Sequence, residues 1–255
     1  MDGKMEELRD VLSRFRRPLI CFSGGYDSTA LLRNAIEYCD DPAVLFVKLP
    51  MNTARQVDSA KRIAEYLGLE PMFEELGWDD LKGVENNPQD RCYICKRAIY
   101  GKALEIAERI GCDAVLAGDN VDDKDTERPG HLASVELGVR NPLREAGIGK
   151  SRVVKAVEEL DLPVPMFKDT CMATRYPFDR VIGEKEMRFA EDCESAVRKI
   201  TGLRQLRIRI DGNRALVQTD EEELNDMIRF RTQITYELKS RGLDCDLDLN
   251  AYKGM

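Results

Sequence analysis

The sequence predicts an α/β protein, a parallel sheet with helices on both faces, followed by a small C-terminal α+β unit. Three observations carry this. Short apolar runs alternate with segments of helical spacing as far as residue 118. Near residue 180 the texture changes, and apolar and polar residues begin to alternate. A chain of 255 residues with 43% hydrophobic and 34% charged residues forms a packed core under a solvated surface, which excludes disorder. The expected domains are 1–179 and 180–255.

Residues 4–16 read as a helix, and PLICF (18–22) is an apolar run ended by Ser-Gly-Gly. A helix over 28–38 leads to AVLFVKL (43–49), a second apolar run. Val57, Ala60, Ile63, Ala64 and Leu67 recur at helical intervals until Gly68, and a short strand is expected at 70–75. Residues 92–110 repeat the helical spacing and close at Gly111, before the strand DAVLAG (113–118). In the second part, a helix over 184–200 precedes LRQLRIRI (203–210) and RALVQ (214–218), joined by the hairpin signal Asp211-Gly212. Its alternation places Leu206, Ile208 and Ile210 inward and leaves Arg207 and Arg209 for solvent, a subunit neighbour or a phosphate, solvent being the expected one. Thr219 and Glu222 form a capping-box pattern opening a helix to about residue 240, and DCDLDL (244–249) is the last strand.

Net charge is −8, from 39 basic and 47 acidic residues, so a general nucleic-acid binder is unlike this chain. No apolar run approaches the ~20 residues that cross a bilayer, and MDGKMEELRD has no secretory apolar stretch. A cytoplasmic protein is expected, without a membrane partner. Its eight cysteines are then no disulfide framework. A single histidine, His131, removes most Ser-His-Asp and His-rich metal schemes.

The strongest local signal is Ser23-Gly24-Gly25-Tyr26-Asp27-Ser28, after the first strand and opening a helix. Gly24 and Gly25 let main-chain N–H groups turn towards an anion, the helix N-terminus adds its dipole, and Ser23 and Ser28 add hydroxyls. Asp27 is unfavourable beside bare phosphate and useful if Mg²⁺ lies between them. No Walker A pattern exists, because Gly149-Lys150-Ser151 has Arg144 where the leading glycine belongs. The string resembles the PP-loop of the ATP pyrophosphatase superfamily, the adenine nucleotide alpha hydrolase-like fold of GMP synthetase and the tRNA thiolases. That resemblance implies ATP cleaved between its α and β phosphates.

Cys92 and Cys95 open the helix of 92–110 at i and i+3, so both sulfurs share one face. Cys171 lies in the polar, turn-like segment Lys168–Arg175. Three cysteines with an open fourth position suit a [4Fe–4S] cluster, while a redox pair, zinc with unseen ligands and a structural accident remain alternatives.

A wider set of motifs adds to this: RCYICK, GDNVDD (118–123), RPG (128–130), ELGVRNPL (136–143), CMATR (171–175) and the terminal LDLNAYKGM. Together they resemble the LarE family of ATP-dependent sulfurtransferases, the pyridinium-3,5-bisthiocarboxylic acid mononucleotide synthases, from about residue 17 to the C-terminus. The resemblance implies ATP and Mg²⁺ at residues 23–28 with Gly118 and Asp119, and a second carboxylate group at Asp119, Asp122 and Asp123. In one branch the cysteine matching Cys171 sacrifices its sulfur, although Thr174 replaces the usual serine before Arg175. In another branch two further cysteines, here Cys92 and Cys95, accompany it as metal ligands of a [4Fe–4S] cluster, and this branch is the expected one. Arg128, Arg140, Thr174 and Arg175 are expected to bind a small-molecule carboxylate substrate. A sulfide donor is the implied partner, and the family's habit implies a homo-oligomer. A tRNA thiolase, an ammonia-using ligase and a non-catalytic ATP-binding regulator are the competing readings.

Overall fold

Pro18–Cys21 (β1), Ala43–Lys48 (β2), Met72–Glu75 (β3) and Ala114–Leu116 (β4) form one wholly parallel sheet in the order β3-β2-β1-β4. Around it lie α1 (Gly3–Leu12), α2 (Tyr26–Tyr38), α3 (Ala54–Tyr66), α4 (Arg91–Ile110), α5 (Gly130–Glu136), the short α6 (Pro142–Glu145) and α7 (Lys150–Glu158). This computed structural model describes residues 3–123, 130–166 and 170–252. The chain divides into two compact units. The first comprises Met1–Leu49, Ala54–Val84 and Asp90–Met166, and the second Pro50–Thr53, Glu85–Gln89 and Phe167–Met255.

The strand pleat sorts the core of the first unit into two layers. Ile20, Val44, Phe46 and Leu116 pack with residues of α1, α2, α3 and α7, among them Leu12, Leu31, Ile63 and Val153. Leu19, Leu45, Val47 and Val115 turn the other way, onto Tyr100, Ala103 and Ile106 of α4 and Ala133 of α5. The α/β architecture expected from the sequence is the observed one.

Local chemistry trims the expected boundaries. α1 stops at Leu12 because the Asp113 carboxylate accepts the main-chain N–H groups of Arg16 (2.7 Å) and Arg17 (3.2 Å), drawing the chain out into β1. α4 ends as expected at Gly111, whose φ of 72° suits a left-handed cap. α5, α6 and α7 are not among the helices expected from the sequence.

In the second unit, α8 (Glu184–Thr201) precedes the antiparallel hairpin of β5 (Arg207–Asp211) and β6 (Arg214–Gln218), which turns through Gly212 at φ 60°. Then come α9 (Leu224–Arg229), α10 (Arg231–Ser240) and β7 (Asp244–Leu247), which pairs parallel to β6. Two expectations need correction here. Thr219 does not cap a helix; its hydroxyl donates to the Gln205 carbonyl at 2.5 Å, and the single helix expected to residue 240 is divided at Phe230. Arg207 does not face solvent: it is buried and its guanidinium stacks 3.5 Å from the ring centre of Tyr252, whereas Arg209 is exposed as expected.

One carboxylate organises the interior of this unit. Glu194, 1% exposed, accepts Arg175 Nε at 2.5 Å, Arg198 Nη2 at 2.9 Å and the Ile208 N–H at 3.1 Å. These bonds join α8, β5 and the segment containing Arg175 through one buried group. Among the described residues, no helix is long and apolar enough to cross a membrane. Removing Glu194 leaves buried guanidinium groups without their counter-charge, so Glu194→Ala should destabilise the second unit by about 3–5 kcal/mol. Urea unfolding followed by circular dichroism reads this as a lowered midpoint for that unit.

Candidate functional site

The loop between β1 and α2 is held in shape by its own hydroxyls. Ser28 Oγ donates to the Gly25 carbonyl at 3.1 Å and accepts the Ser23 N–H at 3.2 Å. Ser23 Oγ lies 3.1 Å from Ser28 Oγ and accepts the Gly25 N–H at 3.4 Å. With the Ser28 proton committed to Gly25, Ser23 is the donor between the two hydroxyls. Gly24 adopts φ 74°, and a Cβ there would lie 2.9 Å from Ala60 Cα in α3. Glycine is therefore required both by the left-handed backbone and by the close approach of α3. Tyr26 and Asp27 begin α2 directly after this turn.

The second wall is the loop after β4. A Cβ on Gly118 would lie 3.0 Å from both Asp27 C and Ser28 N, so the 118–123 main chain rests against the start of α2. From there Asn120, 1% exposed, donates its amide to Asp27 Oδ1 at 2.9 Å. The other oxygen of Asp27 is paired with the ammonium of Lys150, the first residue of α7. Lys150 is the residue that sequence reasoning missed. It was visible only as a failed Walker fragment, and its role comes from the fold bringing α7 to α2.

The carboxylates of 118–123 do not converge on one point. Asp119 Oδ1 takes Lys96 Nζ at 2.6 Å, and its Oδ2 lies 3.6 Å from His131 Nδ1. Asp122 Oδ2 accepts the Lys150 N–H at 2.6 Å and so caps α7. Asp123 is buried and accepts the Asn120 N–H at 3.0 Å. Arg140 is gripped by Glu145 through Nε (2.9 Å) and Nη2 (2.5 Å), and stacks 5.6 Å from the Phe15 ring. Arg128 lies outside the described residues.

Cys92 is exposed and Cys95 half-buried on the first turn of α4. In the second unit, Cys171 is half-buried and precedes a 3₁₀ turn, Met172–Arg175. The Cys171 carbonyl accepts the Thr174 N–H at 3.0 Å and its hydroxyl at 2.7 Å, and the Met172 N–H reaches Met51 O at 3.2 Å. Arg175, 2% exposed, places Nη1 on Thr170 Oγ1 (2.8 Å) and Thr174 Oγ1 (3.1 Å) while Glu194 takes Nε and Nη2. Its guanidinium thus braces this turn. Among the described residues, no group of three or more His, Cys, Asp or Glu side chains is assembled to hold a metal ion.

The fold and the loop define a parallel α/β protein with a glycine-containing strand–loop–helix junction at the C-terminal end of β1, an interior strand of the sheet. No family model matches the chain. It is 27% identical over 254 residues to the pyridinium-3,5-bisthiocarboxylic acid mononucleotide synthase of Lactiplantibacillus plantarum, covering 98% of this chain and 92% of that protein. It is also 28% identical over 228 residues to an uncharacterized protein of Methanocaldococcus jannaschii, covering 89% of this chain and 86% of that one. An uncharacterized Synechocystis protein matches at 27% over 231 residues, 90% of this chain and 86% of its own.

Burial shifts three of the remaining cysteines away from reactivity. Burial pushes the Cys21 thiol up to about 12, against the opposing pull of Lys96, and pushes Cys39 and Cys193 up to about 11. At pH 8, iodoacetamide should therefore modify exposed Cys92 well before Cys21, Cys39 or Cys193. Peptide mass mapping over a time course checks the order.

Proposed function

We propose that the chain is an ATP-dependent sulfurtransferase that adenylates a small-molecule carboxylate, releases pyrophosphate and converts the acyl-adenylate to a thiocarboxylate. The observation carrying this is the preformed Ser23–Ser28 loop with Asp27 held between Asn120 and Lys150. The match to a named thiocarboxylate-forming synthase along nearly the whole chain supports the sulfur chemistry.

The residues fit a magnesium nucleotide. Main-chain N–H groups of the Gly24–Ser28 turn would donate to a pyrophosphate, and the start of α2 would add its partial positive charge. Asp27 is the carboxylate we assign to Mg²⁺, because it lies within the Ser23–Ser28 loop at the start of α2. Lys150 then turns from Asp27 to the phosphates and stabilises the charge that accumulates on the departing pyrophosphate. Carboxylate oxygen attacks the α phosphorus, the bond to the bridging oxygen breaks, and pyrophosphate leaves. A sulfur nucleophile adds to the activated carbonyl carbon, and AMP departs with the electron pair.

Cys92 and Cys95 would supply two thiolates and Cys171 a third to a [4Fe–4S] cluster, a proposal resting on donor chemistry and on the spacing of Cys92 and Cys95. When bound, such a cluster would hold hydrosulfide taken from the sulfide donor at its open iron and present it as the nucleophile. Thr174 and Arg175 set the Cys171 turn from within the second unit.

With a carboxylate acceptor and sulfide present, ³¹P NMR should show ATP converted to AMP and pyrophosphate. ADP and orthophosphate would contradict the assignment. Lys150→Met should lower kcat by roughly 10²-fold, the scale for losing one preorganised charge-stabilising donor, and leave the fold intact.

A further inference from the structure

We propose that Asn87 is a positioning residue for sulfur transfer, acting by holding the Cys171 turn; this rests on the sulfurtransferase reading above. Asn87 is fully buried. Its side-chain Nδ2 donates to three main-chain carbonyls that follow Cys171: Ala173 at 3.3 Å, Tyr176 at 3.3 Å and Pro177 at 2.7 Å. Three acceptors facing one group fix the amide's orientation, because a flipped oxygen would lie against all three. The Asn87 carbonyl also accepts the Asp179 N–H at 3.1 Å, and the Glu85 carbonyl accepts the Ile182 N–H at 2.7 Å. A short piece from elsewhere in the sequence thus splints the whole of 173–182.

The backbone carries an independent sign of this role. Among the described residues, Asn87 (φ 50°) and Asp179 (φ 61°) are the non-glycine residues with positive φ, and one hydrogen bond joins them. Asn and Asp tolerate this region best, yet it remains uncommon. Asn87 also precedes Pro88, whose ring restricts the residue before it. Two such residues facing each other keep a loop shape against local preference, which is the pattern of a held functional turn. Met51 O, on Met172 N–H, is a second splint at the other end.

The test compares two half-reactions in the full chain. Asn87→Gly keeps a left-handed backbone accessible and deletes the carboxamide. ATP–pyrophosphate exchange should stay within about twofold of the parent, while single-turnover sulfur incorporation falls on the order of 10–100-fold, the scale for a misplaced reacting group. Independently of activity, Cys171 alkylation by iodoacetamide, read by peptide mass, should accelerate. Asn87→Ser keeps one donor and should lie between, giving the same comparison if the glycine variant does not fold. Parent-like sulfur transfer, an equal loss in both half-reactions, or an unchanged Cys171 alkylation rate overturns the proposal. If the parent itself shows no pyrophosphate exchange, the sulfurtransferase reading fails, and the alkylation rate alone then decides on Asn87.

Discussion

How closely one backbone approaches another at Gly118 decides the arrangement around the Ser23–Ser28 loop. Any side chain there would meet Asp27 and Ser28 main-chain atoms at 3.0 Å, so the start of α2 would have to shift to admit it. Because glycine allows the contact, Asn120 reaches Asp27, and Asp122 reaches the first N–H of α7. Capping α7 at that point delivers Lys150 to Asp27. A cationic and an anionic side chain are thereby stationed at the mouth of a loop whose serines are already hydrogen-bonded. The backbone of the loop is thus already ordered, and under the proposed function only the Lys150 side chain has to move from Asp27 to a bound phosphate.

The second unit solves a different problem. Its core includes charged groups, and Glu194 satisfies Arg175 and Arg198 while also bonding the main chain of β5. Burying a carboxylate with this many donors is tolerable only as a complete set. The consequence is rigidity: Arg175, Thr170 and Thr174 are fixed relative to α8, and Cys171 inherits that order through its own carbonyl.

Legibility in the sequence followed the range of the interactions. Strands β1, β2 and β4 and helices α2, α3 and α4 were readable because burial repeats locally, at a period set by backbone geometry. The Ser23–Ser28 loop was readable because all its parts are contiguous. Lys150 was not, since its partner Asp27 is distant in the chain and no local pattern records the pairing. Arg207 misled for the same reason: strand alternation gave it to solvent, but Tyr252 covers it from the far end of the sequence. Thr219 carried a sound capping signal that Gln205 outcompeted by offering its carbonyl. Asn87, in a polar stretch between elements, gave no periodic signal at all; only its three distant carbonyl partners identify it.

The central claim is that the approach of the Gly118 loop to α2 builds the magnesium-nucleotide site. Isothermal titration of Mg·ATP into the parent and into Gly118→Ala tests it most directly, with circular dichroism confirming the fold. The account predicts binding by the parent and at least a tenfold weaker affinity in the variant, about 1.4 kcal/mol or more. A folded Gly118→Ala protein that binds Mg·ATP as tightly as the parent would contradict it.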